Sequence, residues 1–194
     1  MWGREMLVDL AIETALKFHV GQFRKGADIP YVAHPLAVGI ILAGAGCSDE
    51  VIAAGILHDT LEDTSMTVDE VRNRFGREVA SMVMACSEPD KSLPWEIRKQ
   101  HTTASMKNAP LEVRAIVCAD KLHNLRTMAG ELKKAGEDLW KRFNRGKTDQ
   151  AWYYKSLVLA ICERKDQGKY APLFLAFKKE VEELFGRDAD NQQA

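Results

Sequence analysis

No run in this sequence is apolar for long enough to cross a bilayer, which takes about 20 residues of helix. The longest, Pro35 to Cys47, is too short and contains Gly39, Gly44 and Gly46. The opening MWGREMLVDLAIETALKF sets charges among its apolar residues and lacks the unbroken block of a secretory leader. Both absences predict a cytoplasmic protein with no membrane partner. Charge of one sign is also lacking: 27 Lys and Arg stand against 28 Asp and Glu, so no net field would hold a nucleic acid polymer by counterion release. Any anionic ligand has to be met by local groups. Cysteine is sparse, and Cys47, Cys86, Cys118 and Cys162 lie far apart with no C-x-x-C pair. That spacing points to buried reduced thiols and away from a disulfide framework or redox pair. Alternating β-branched runs, the mark of half-buried strands, are missing too.

Apolar residues instead recur three and four apart along almost the whole chain, which predicts an all-α domain of about eight to ten helices. Helices are expected over residues 2–20, 35–43, 49–62, 67–75, 77–86, 95–107, 110–129 and 150–163, with a short one around Trp140 and a last one over 172–185. Glycines end two of them, at Gly44-Ala45-Gly46 and Phe75-Gly76. Thr67-Val68-Asp69-Glu70 has the form of a capping box. With no internal repeat or dividing linker, residues 1–186 read as one domain and 187–194 as a frayed tail.

The densest chemistry lies in Gly55-Ile56-Leu57-His58-Asp59-Thr60-Leu61-Glu62-Asp63-Thr64, where an apolar helix suddenly presents one histidine and three carboxylates. On a continuous helix His58 would align with Glu62, and Asp59 with Glu62 and Asp63. Like charges four apart repel, and buried carboxylates are rare unless paired or bound to a cation. A divalent ion would relieve both problems. Two further segments can converge on it. The Gly- and Pro-rich loop GQFRKGADIPYVAHP carries Arg24 and Lys25 and ends in His34, and Ala119-Asp120-Lys121-Leu122-His123-Asn124 sets an aspartate in a long apolar helix.

These pieces resemble the HD phosphohydrolases, in which a histidine, a His-Asp pair and a distant aspartate hold one divalent ion. The ordered set is similar, more narrowly, to the hydrolase domain of the RelA/SpoT group and to the small alarmone hydrolases typified by the metazoan SpoT homologue. It comprises His19, Gln22-Phe23-Arg24-Lys25, Pro30-Tyr31, His34-Pro35, Leu57 to Thr64, Phe75-Gly76, Asp90-Lys91-Ser92-Leu93-Pro94 and Ala119 to Thr127.

The resemblance implies an HD-domain helical bundle with His34, His58, Asp59 and Asp120 as metal ligands. Manganese is the implied ion, with zinc or iron also compatible with the donor set. It implies catalysis by Glu62 and Asp63, and ribose and base contacts from Asn124 and Thr127. Arg24 and Lys25 are expected to flank a purine. Lys91 is the choice for phosphate contact among Lys91, Arg98, Lys121, Arg126, Arg142, Arg145 and Lys147. Tyr31 is read as packing, and His123 as a structural hydrogen-bonding group. The implied reaction is hydrolysis of the 3′-diphosphate of (p)ppGpp-type alarmones, a small phosphorylated purine nucleotide, to pyrophosphate and GDP or GTP. The chain is too short for the synthetase domain of the long members, so hydrolysis without synthesis is expected. Gly26 stands where long members carry a serine near the purine, which leaves adenine analogues open. Beyond residue 135 the match fades, and Lys147, Gln150 and Tyr154 receive no role. Rival readings are a nucleotide phosphomonoesterase, such as one removing the 2′-phosphate of NADPH, and a nonenzymatic nucleotide sensor. Oligomeric state stays open, a homo-oligomer included.

Overall fold

The computed structural model describes residues 5–88 and 90–186, which places the expected frayed tail outside the described residues. The described residues form nine α-helices and two short 3-10 helices, with strand-like pairing only at an isolated bridge between Phe23 and Pro30. The helices are α1 (Glu5–Phe18), α2 (Ala33–Gly44), α3 (Asp49–Leu57), α4 (Thr60–Asp63), α5 (Val68–Cys86), α6 (Trp95–Met106), α7 (Leu111–Ala135), α8 (Lys147–Ile161) and α9 (Ala171–Phe185). The all-α expectation agrees with this architecture.

The helix ends follow local chemistry. Thr67 accepts from the Glu70 amide at 3.3 Å while the Glu70 carboxylate accepts from the Thr67 amide at 2.8 Å, the predicted capping box. Gly76, at φ +85°, breaks the helical backbone inside α5, so the two expected helices meet at a kink. α7 is longer than predicted. It continues to Ala135, where Gly136 at φ +59° ends it. The expected helix around Trp140 is a 3-10 helix, Gly136–Arg142.

The centre belongs to α3 and α7. Every residue of α3 from Val51 to Leu57 is buried, and α3 packs against α1, α2, α5 and α7. α7 buries most of its first half and packs against α2, α3, α5, α8 and α9. A helix apolar on all sides must lie inside. Asp120 is carried by α7, and His58 and Asp59 follow directly on α3.

α2 crosses α3 closely because both present glycine. A Cβ at Gly39 would stand 2.6 Å from Ile56 Cγ1, and one at Gly55 would run into Leu42 Cδ1. Gly55→Ala is therefore expected to cost about 1–3 kcal/mol from overpacking. The check is the midpoint of denaturant unfolding; an unshifted midpoint would show that the crossing has slack. The same crossing sets His34 on α2 against His58 beyond α3.

Candidate metal centre and flanking cavities

α3 does not continue to Glu62 as its sequence suggests. The His58 ring nitrogen Nδ1 lies 2.7 Å from the Gly55 carbonyl, and Thr60 Oγ1 donates to the Leu57 carbonyl at 2.7 Å. These side chains take acceptors that continuing helix amides would use. The chain turns at His58-Asp59 and restarts as α4. A carbonyl can only accept, so Nδ1 carries a proton and Nε2 is the nitrogen turned toward the cluster.

That nitrogen is buried, and carboxylate oxygens face it. Asp59 Oδ2 lies 3.0 Å away and Asp120 Oδ1 3.8 Å away. His34 enters from α2, its Nε2 3.1 Å from Asp120 Oδ1 and 3.7 Å from Asp59 Oδ2. Donor atoms of His34, His58 and Asp120 all lie within 4.8 Å of one another. Carboxylates gathered this closely around imidazole nitrogens are paired either with a metal cation or, without one, with a proton on an imidazole. Two imidazole nitrogens with two carboxylate oxygens make a mixed set suited to one divalent first-row ion.

The surroundings keep the two carboxyls of this set ionised. Burial disfavours charge on Asp59, but His58 beside it keeps the carboxyl well below its usual range. Burial likewise opposes ionisation of Asp120, and Lys121, 2.6 Å from Oδ2, overcomes it. Burial works against a proton on His58, yet the adjoining Asp59 carboxylate raises its pKa to about 9, so a metal ion at Nε2 would have to displace a proton. In His34 burial wins and the pKa falls. Each member also has an orienting partner. His34 Nδ1 lies 2.7 Å from His123 Nδ1, Asn124 donates to Asp120 Oδ1 at 2.7 Å, and Tyr31 donates to Asp59 Oδ2 at 2.5 Å. Tyr31, expected as packing, thus has a polar task. His123 makes the hydrogen bond expected of it.

Two cavities flank the cluster. One of about 420 Å³ is lined by His58, Asp59, Glu62 and Asp120 together with Lys91, Arg98, Lys99 and Lys121. The other, of about 600 Å³, is lined by His34, Arg24, Lys25, Tyr31, Asn124 and Thr127, among others. Lys99, Lys121 and Tyr153 border both. Arg24 donates to Asn124 Oδ1 at 3.0 Å and lies 5.8 Å from the centre of the Tyr31 ring. Gln150 and Tyr154 also line the larger cavity, whereas Lys147 is drawn off by Glu137 at 3.1 Å.

Glu62 and Asp63 part company. Glu62 faces the smaller cavity, accepts the Glu88 backbone amide, and has its pKa raised by burial. Asp63 lines neither cavity; its carboxylate takes the Lys91 ammonium at 2.5 Å. Lys91 also donates to the Glu62 carbonyl at 2.9 Å. It stands at the cavity wall already engaged with acids.

Sequence reading missed Lys99, Tyr153 and Glu88. Glu88 binds Lys99 at 2.6 Å and also Arg98, fixing α6 to the loop beside Glu62. Lys99 lies 5.1 Å from the centre of the Tyr153 ring. The adjacent cations just after the Asp90-to-Pro94 motif were a usable signal for Lys99. Nothing local distinguishes Tyr153 from its neighbours in an aromatic helix.

Comparison with known proteins bears on this geometry. The pattern described as HD domain matches residues 11–146. A GTP pyrophosphokinase of Streptomyces coelicolor is 40% identical over 124 residues, which are 62% of this chain and 14% of that protein. The chain thus spans about a seventh of that long relative. The guanosine-3′,5′-bis(diphosphate) 3′-pyrophosphohydrolase MESH1 of Xenopus tropicalis is 35% identical over 133 residues, 67% of this chain and 72% of that protein. Among solved structures, a metazoan orthologue of SpoT that hydrolyses ppGpp superposes with a TM-score of 0.76 at 25% identity. The superposition covers 93% of this chain and 97% of that one.

Proposed function

Because the chain belongs to the HD domain family, we propose that it is a metal-dependent phosphohydrolase that removes the 3′-diphosphate of a (p)ppGpp-type alarmone, releasing pyrophosphate and GDP or GTP. The observation that carries this reading is the cluster of His34, His58, Asp59 and Asp120 set between two cavities, one with cations and the Glu62 carboxylate, the other sized for a nucleoside. The MESH1 relatives support the choice of reaction.

A divalent ion held by the four residues, manganese on our reading, would act as a Lewis acid toward the phosphoryl group and acidify water near it. Glu62 takes the proton of the attacking water. Its raised pKa improves it as a base, and its backbone-anchored carboxylate is already aimed into the cavity. Asp63 acts through Lys91, holding the ammonium 3.7 Å from Glu62 Oε2. Lys99, Lys121 and Arg98 offset the diphosphate charge as it forms between the cavities. Arg24 and Lys25 flank the base, and Asn124 and Thr127 meet the ribose, in the larger cavity.

Incubation of the manganese-loaded protein with ppGpp, its adenine counterpart and NADPH tests the reading. Pyrophosphate from an alarmone supports it, and orthophosphate from NADPH alone would replace it with phosphomonoester cleavage. A second check needs no turnover. Because the donors are gathered only in the folded chain, Mn²⁺ at about 100 times its Kd should add roughly 2.7 kcal/mol of stability. The melting temperature of chelator-stripped protein is expected to climb on adding the ion, and a flat response would count against an ion at this cluster.

A further inference from the structure

Among the described residues lining the larger cavity, Glu131 is the single carboxylate, set among the cations Arg24, Lys25, Lys99, Lys121 and Arg142. An anionic nucleotide needs those cations. An acid in the same cavity works against it unless the acid meets a donor. Glu131 keeps 32% of its side chain exposed, and Arg142 Nη1 stands 3.7 Å off, beyond hydrogen-bond length. Its oxygens therefore retain free acceptor capacity.

Its place on α7 tells which part of a nucleotide it faces. Asp120, Asn124, Thr127 and Glu131 succeed one another at spacings of four, three and four, a single stripe along one helix face. At about 1.5 Å of rise per residue, Glu131 lies roughly 16 Å along the axis from Asp120. A nucleotide with its scissile phosphate at the His34, His58 and Asp120 cluster lays its ribose beside Asn124 and Thr127. The far edge of its base then comes to Glu131. A carboxylate only accepts. Guanine offers two donors on one edge, N1–H and the 2-amino group, spaced for the two oxygens of a carboxylate. Adenine offers there a ring acceptor and a C–H.

We propose that Glu131 selects guanine by accepting from N1–H and the 2-amino group, with Arg142 steadying the carboxylate from its other side. The inference rests on the alarmone-hydrolase reading and adds its base preference. It also gives Gly26 a place. With φ +77° and a would-be Cβ 3.8 Å from Arg142 Nη1, the loop tip packs over that guanidinium and contributes no side chain of its own. Base recognition then falls to α7.

The test measures Kd for ppGpp and its adenine counterpart on metal-free protein, and kcat/KM for both on manganese-loaded protein, in wild type and Glu131→Gln. Wild type is expected to favour guanine. Glu131→Gln should cut the guanine-to-adenine ratio by about tenfold or more in both measurements, since one acceptor becomes a donor facing a donor. Equal weakening of both nucleotides, an unchanged ratio, or adenine preference in wild type would overturn the inference and leave the hydrolase reading standing. Guanine-selective binding that Glu131→Gln abolishes, with neither nucleotide cleaved, would support base selection and remove the reaction instead.

Discussion

Replacing His58 by alanine is expected to abolish hydrolysis together with the response to manganese. His58 Nε2 is a buried nitrogen facing the Asp59 and Asp120 oxygens, and without it the carboxylates lose the imidazole that would share a cation with them. The loss should exceed the roughly 10–100-fold in metal affinity that removal of a partner behind a ligand costs. His123→Ala supplies that smaller scale for comparison, because in the metal cluster His123 meets only the rear nitrogen of His34, at 2.7 Å. The two variants should therefore separate in a manganese titration followed by melting temperature. His123→Ala shifts the curve to higher metal, and His58→Ala leaves none to fit. Comparable curves for both would mean that the ion, if bound, sits elsewhere.

Glu62→Gln should leave the manganese response intact and lower kcat by about 10²- to 10⁴-fold, the usual worth of a positioned general base. The substitution is clean at this site because glutamine's carbonyl oxygen still accepts the Glu88 amide that anchors Glu62. What disappears is the proton acceptor. KM should move little, since Glu62 lies in the smaller cavity, away from Arg24, Asn124 and Thr127. The pH profile gives an independent reading. Glu62 must be ionised to accept a proton, and burial raises its pKa, so wild-type kcat should fall on acidification at a higher pH than an ordinary carboxylate would dictate. Lys91→Met removes an ammonium 3.7 Å from Glu62 Oε2 and so should move that acid limb further up in pH. A limb that stays put in Lys91→Met, with near-normal kcat in Glu62→Gln, would assign the proton transfer to another group.

Much of this arrangement could be read in advance because it is written locally. The three- and four-residue apolar spacing, the Thr67–Glu70 cap and the Gly76 kink are short-range devices with short-range signatures. That three segments would converge was suggested by acids placed where packing has no use for them, and the resemblance to the HD phosphohydrolases supplied the set His34, His58, Asp59 and Asp120. The break after Leu57 was not. It depends on His58 and Thr60 turning back onto carbonyls of α3, and helical periodicity cannot distinguish that from a continuous helix. The division of labour between Glu62 and Asp63 was equally hidden. It is imposed by Lys91 and the Glu88 amide, from 26 to 29 residues further along, and pairings at that distance leave no period to detect. Tyr31 looked like filler because its hydroxyl partner, Asp59, lies 28 residues away.

α7 runs from Leu111 to Ala135 as one helix, and on our reading it sets Asp120, Asn124, Thr127 and Glu131 along the nucleotide in a fixed order. Inserting a single amino acid between Asp120 and Thr127 would rotate all later positions by about 100° and carry them out of the cavity together. Lineages descending from this chain should accordingly accumulate length changes in the connections and keep the count from Asp120 to Glu131 constant. New substrate preferences would then arise by exchange of side chains at 124, 127 and 131.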